Sequence, residues 1–168
     1  MTNTAELIDK IIPPSDYQHR NGFSNDNIID KLSAEDKSNV EDELINMLSN
    51  YKGDTLIVET LAYMNSQKAI ESLKHILNET KEDLEKIIIA SSIYKISSDK
   101  CLINIAIDSF KKIEALPMNY FYNKSALINS FYYITLFSDI ELNKLITAYS
   151  NHPDNLVSYN AKRFSDIR

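Results

Sequence analysis

Residues 57–77 and 89–109 match in hydrophobic pattern when one is shifted by about 32 positions onto the other. Ile57, Leu61, Met64, Ala69, Ile70 and Leu73 fall on Ile89, Ile93, Ile96, Cys101, Leu102 and Ile105, and Ser66 and Ser98 mark the same break between two helices. A third copy follows at a shift of about 40, through Tyr133, Leu136, Ser138, Leu142 and Leu145. A unit that recurs at this period cannot bury its apolar face alone, so copies stack on one another. The spacing therefore predicts an all-α fold, a short α-solenoid of about three to four stacked antiparallel helix pairs.

Composition points the same way. Two glycines and four prolines in 168 residues leave few of the turn residues that hairpins, phosphate loops and dinucleotide folds need. With 43% hydrophobic residues, the length suits one domain over 1–168: acidic N-terminal helices over 1–53, then repeats and a C-terminal cap over 54–167. No apolar run approaches the ~18–20 residues of a membrane span, since 87–90 is followed at once by Ser91 and Ser92. Glu6 and Asp9 stand where a signal peptide would be basic or apolar, and a single cysteine, Cys101, suits a reducing compartment. The expectation is a cytoplasmic protein.

Local signals divide the chain further. A helix over 4–12 stops at Pro13 and Pro14, and 13–23 reads as a loop. A brief helix over 25–32 precedes a longer one, capped by Ser33, whose stripe is Val40, Leu44, Met47, Leu48 and Tyr51. Gly53 suits a left-handed helix end, and Asp54 suits the cap of the next helix. Helices are expected over 55–65 and 67–78, then from Thr80, with Asp83 completing a capping box, to about 96. Others follow over 99–113, 124–137 and 140–150, the last with Ser138 and Glu141 as capping box. Residues 114–123 form an insertion, and 155–167 an unpaired last helix whose Ser158, Asn160, Lys162 and Arg163 suit a solvent-facing cap.

The formal charge of −6 is unevenly placed: residues 1–60 carry −7 and residues 61–168 carry +1. Asp26, Asp30, Glu35, Asp36, Glu41, Asp42 and Glu43 form the densest part, with Lys31 and Lys37 among them. A charge run usually serves as a solvated helix face; as a binding surface, this one would attract cationic partners and repel phosphates. A second candidate surface is the polar stripe on the second helix of each repeat: Glu71, His75 and Asn78; Asn104, Asp108 and Lys111; Asn143, Thr147 and Ser150. The third is the insertion, with Met118, Tyr120, Phe121 and Tyr122. Loop aromatics either anchor a partner or fold inward to seal a gap between repeats, and the inward arrangement is the one expected here.

Catalytic signatures are missing. No nucleophile stands beside a base on a glycine-rich turn, and Cys101, aligned with Ala69, reads as a core residue. His19, His75 and His152 have no second His or Cys at metal-ligand spacing, and Glu41, Asp42 and Glu43, being consecutive, point to different sides of a helix. No metal, cofactor or nucleic-acid partner is expected, because phosphate binding rests on basic residues that this acidic chain lacks.

Residues 54–167 resemble the HEAT and armadillo-like repeat families in their paired helices and recurring apolar positions. The proline common in the first HEAT helix and the basic residue in the second do not recur, and the spacing of about 32 is shorter than the usual ~40. The resemblance implies a protein-binding module rather than an enzyme. In type, the chain also resembles bacterial toxin-immunity proteins: small, acidic, helical, and rich in the Asn, Ile, Lys and Ser of an AT-rich gene. That resemblance implies a cognate basic, nuclease-type toxin as partner, with the acidic surface standing in for its nucleic-acid substrate. The alternatives are a repeat scaffold or regulatory subunit joining other proteins, and an enzyme of unrecognised type.

Overall fold

Asn3 accepts the Ala5 N–H and opens helix α1 (Thr4–Ile11), and Pro13 and Pro14 forbid its continuation. The computed structural model describes residues 3–165, and all regular structure among them is helical. The chain divides into two compact units, Met1–Asn78 and Glu79–Arg168.

In the first unit, α1 is followed by α2 (Tyr17–Arg20), α3 (Asp26–Asp30), α4 (Ala34–Leu48), α5 (Thr55–Tyr63), a 3-10 turn (Gln67–Ala69) and α6 (Ile70–Glu79). The short α2 lies inside the segment expected to be loop, because Asp16 caps it through the His19 N–H. Arg20, at its end, donates to the Pro13 carbonyl and forms a fork on Asp54 at 2.5 and 2.7 Å, tying 13–20 to the start of α5. Ile11, Val40, Leu44, Leu61 and Leu73 are fully buried.

Asn25, Thr60 and Ser66 are polar side chains buried with them. Asn25 donates to the Ile11 carbonyl at 3.0 Å and to the Thr60 hydroxyl at 2.7 Å, joining the end of α1 and the middle of α5 to the start of α3. Asn25→Leu leaves both acceptors without that donor, and a loss of about 1–3 kcal/mol is expected in urea unfolding.

The second unit holds α7 (Asp83–Ser97), α8 (Cys101–Glu114), α9 (Phe121–Thr135), α10 (Ile140–Ala148), a 3-10 turn (Tyr149–Asn151) and α11 (Asn155–Ser165). Helices α7, α9 and α11 lie side by side; α8 packs on α7 and α9, and α10 on α9 and α11. Helices α9 and α11 run parallel, with Lys124 and Asp154 paired near their N-termini and Tyr132 and Phe164 6.1 Å apart near their C-termini. The core centres on Phe110 and Phe131, both fully buried, with Tyr149 5.5–6.0 Å from each.

The Lys124 ammonium, aided by the Val157 and Leu156 N–H groups, holds the Asp154 carboxyl below the usual carboxylate range. A lowered folded-state pKa adds stability above the unfolded value, and that contribution is lost as pH falls through the folded value. Wild type should therefore lose it below about pH 4, whereas Asp154→Asn lacks it at every pH and should show a shallower acid limb in thermal melts.

The helix starts depart from expectation in two places. Helix α7 begins at Asp83, preceded by Glu82, so Thr80 and Asp83 do not form its capping box. Helix α10 is capped by Asp139, which accepts from the Glu141 and Leu142 N–H groups, while Ser138 has a left-handed backbone at φ 49°. That arrangement recurs. Gly53, Asn65, Ser98 and Ser138 all have positive φ, and the next residue in each case, Asp54, Ser66, Asp99 or Asp139, accepts an N–H from the helix that follows. A left-handed residue lies in the turn between two helices, and its oxygen-bearing neighbour starts the next.

These turns also change the alignment expected between the helices. Asn65 and Ser98 are equivalent, so the second helices align at 33: Ala69, Leu73 and Leu77 are matched in burial by Leu102, Ala106 and Phe110. Cys101 is accordingly exposed, not a core residue, and Ile105 is only half-buried. The slip arises because Ser97 adds one residue before the turn. At the end of α9 and in the turn after it, Ile134 and Phe137 are fully buried, while the expected Tyr133 and Leu136 are half-buried. There Phe137 directly precedes the left-handed Ser138, so the burial phase runs one residue later.

Candidate protein-binding surfaces

The acidic run folds onto α3 and α4, and the structure divides its members into two kinds. Asp36 is structural: its N–H donates to the Ser33 hydroxyl, which in turn donates to its carboxylate at 2.8 Å, fixing the start of α4. Asp30 accepts the Tyr63 hydroxyl at 3.0 Å, and this bond raises the tyrosine's pKa. Glu41 and Asp42 share Lys68 at 3.3 and 3.1 Å, and the lysine's pKa rises through those contacts. Asp26, Glu35 and Glu43 are exposed, and no side-chain hydrogen bond or ion pair holds their carboxylates among the described residues, although the Asp26 charge adds to the rise in the Tyr63 pKa. Helix polarity also favours Asp26 and Glu35, each in the first turn of its helix.

Lys68 is the cation that sequence reasoning missed. Lys31 and Lys37 are near the acids in sequence, whereas Lys68 arrives from the turn after α5. Beside this ion pair lies a shallow hollow of about 370 Å³ lined by Ala34, Lys37, Ser38, Glu41, Tyr63 and Met64.

The polar stripes are exposed on α6 and α8. Glu71, His75 and Asn78, and their equivalents Asn104, Asp108 and Lys111, all face solvent, and the shift of 33 matches them one to one. Glu71 is paired with Lys74 at 3.9 Å. On α10 the expected phase is displaced, because Asn143 and Ser150 are half-buried and only Thr147 is exposed. The exposed residues there are Ile140, Glu141, Lys144, Thr147 and Ala148, and all but Glu141 line, with Asn143, a shallow depression of about 400 Å³.

The aromatic insertion is turned outward, contrary to expectation. Tyr120, Phe121 and Tyr122 are 62, 80 and 69% exposed, and only Met118 is half-buried. The reason lies in the helix boundary. Helix α9 begins at Phe121, three residues before the expected start, so Phe121 and Tyr122 occupy its first turn, ahead of the apolar stripe that begins at Ala126 and Leu127. The half-buried Tyr149 packs against Phe110 and Phe131, and its hydroxyl donates to Glu114 at 2.6 Å; burial, then this bond, raises its pKa.

Helix α11 also differs from a polar cap. Leu156 and Tyr159 are exposed on it, while Ser158 and Asn160 are half-buried. Residue 167, in the expected extent of this helix, lies outside the described residues.

No protein-family model, curated protein or solved structure matches this chain. No group of three or more His, Cys, Asp and Glu side chains is arranged to hold a metal ion among the described residues, and no helix among them is long and apolar enough to cross a membrane.

Proposed function

We propose that the chain is a protein-binding module that neutralises a cationic protein, with a nuclease-type bacterial toxin as the partner class. The observation that carries the reading is the outward Asp26, Glu35 and Glu43 on α3 and α4, in a unit where thirteen acids oppose seven bases over residues 1–78. Such a surface raises the local concentration of a cationic partner and would oppose the phosphates of its substrate. The exposed Tyr120, Phe121 and Tyr122 offer the rigid aromatic area that anchors interfaces.

The test begins with capture of the partner by the intact chain, followed by expression of that partner with and without it. Toxicity relieved by co-expression is the expected result; a non-toxic partner, or toxicity unaffected by the chain, rejects neutralisation. Asp26→Lys, Glu35→Lys and Glu43→Lys combined should slow association about tenfold or more while changing dissociation little. These positions test charge more cleanly than Glu41 and Asp42, whose reversal would also repel Lys68. Surface-plasmon kinetics at two salt concentrations check the outcome. Association rates unchanged by both charge reversal and salt would remove the acidic surface from the mechanism.

A further inference from the structure

Helix α11 is the apolar and cationic counterpart of the acidic helices. Val157 and Ala161 point inward and are fully buried. On the opposite side Leu156, Tyr159 and Arg163 stand at i, i+3 and i+7, with Lys162 adjoining them, so one helical face carries all four. Leu156 and Tyr159 are 51 and 64% exposed, and both cations are exposed. Asn155–Ser165 contains no acid, which gives this helix a charge of +2 in a chain of −6. Arg163 lies over the Phe164 ring at 5.6 Å, a contact that restrains the guanidinium beside the exposed face.

We propose that this outward face of α11 docks an acidic amphipathic helix of another protein. Charge complementarity selects the occupant: Lys162 and Arg163 call for carboxylates one turn from the apolar residues that would cover Leu156 and Tyr159. Nucleic acid fits less well, since two cations neutralise about two phosphates and leave little affinity at physiological salt. A lipid surface fits less well because the helix's main apolar stripe is already buried, leaving two side chains to insert. The partner would be opposite in charge to the one proposed for the acidic surface. Failure of either proposal therefore leaves the other standing.

The test uses the full chain and four probes: a fluorescent helical peptide with a leucine stripe flanked by glutamates, the same peptide with lysines for glutamates, phosphatidylserine vesicles and duplex DNA. The glutamate peptide should bind saturably and more tightly than the other three. Leu156→Ser with Tyr159→Ser should weaken it about tenfold or more, and Lys162→Glu with Arg163→Glu should weaken it similarly and reverse the preference toward the lysine peptide. All four positions are exposed, so unchanged circular dichroism should accompany the loss. Absence of saturable binding, equal binding of both peptides, binding insensitive to both double variants, or tighter binding to vesicles or DNA would each overturn the proposal.

Discussion

Leu61→Ala and Ile93→Ala are each expected to lower unfolding stability by about 2–5 kcal/mol, measured by urea denaturation. Both side chains are fully buried, at equivalent positions in α5 and α7, so truncation removes apolar contacts and leaves a cavity that close-packed neighbours fill only in part. Against a typical total of ~5–15 kcal/mol, either change removes a large share. The register of the second helices supplies the control. Leu102→Ala should fall in the same range, while Cys101→Ser, at an exposed site one residue away, should stay within about 0.5 kcal/mol of wild type. A near-neutral Ile93→Ala, or a Cys101→Ser as costly as Leu102→Ala, would contradict the packing described for α7 and α8.

A chain ending at Ile113 should aggregate or lose cooperative unfolding. The cut removes α9, α10 and α11, and with them the partners of the central rings. Phe110 loses Phe131 at 6.3 Å and Tyr149 at 6.0 Å, and Tyr94 loses Phe137 at 5.0 Å. What remains of the second unit is the pair α7 and α8, with the fully buried Phe110 and the buried Ile113 opened to water. Helix pairs of this kind draw their stability from the neighbours that cover them rather than from helix propensity. Sedimentation and near-ultraviolet dichroism provide the check, and a monomeric fragment with a single sharp transition over its whole length would refute the expectation.

The parts of this fold that the sequence makes legible are those set by neighbours within one turn. Pro13 and Pro14, the Ser33 and Asp54 caps and the 3.6-residue stripes act locally, and the helices stand close to where they predict. Phase within a helix is harder to read. From Ile87 to Ile93 every residue of α7 is buried, so the pattern there has no polar side with which to fix the rotation, and a one-residue slip passes unnoticed until the turn shows it. The candidate surfaces divide in the same way. Glu71, His75, Asn78, Asn104, Asp108 and Lys111 are exposed at the spacing their polarity suggests. Lys68 reaches the acids through tertiary folding alone, and the direction of Tyr120, Phe121 and Tyr122 depends on where α9 begins.

The left-handed turn with its capping neighbour has a further consequence for how this chain tolerates changes in length. Asn65 and Ser98 are 33 residues apart and Ser98 and Ser138 are 40 apart, yet each is left-handed and is followed at once by a residue that accepts an N–H from the next helix. Because every such turn re-initiates the following helix from its own cap, residues gained before it need not rotate the helix after it. The six residues between Glu114 and Phe121 show where extra length is accommodated, against three between Glu79 and Asp83. Divergent copies of this chain would therefore be expected to vary at the 115–120 corner, where the exposed aromatics begin, while keeping the spacing between each left-handed residue and its cap at one. The same economy would let a designer graft a foreign loop at that corner without re-registering α10.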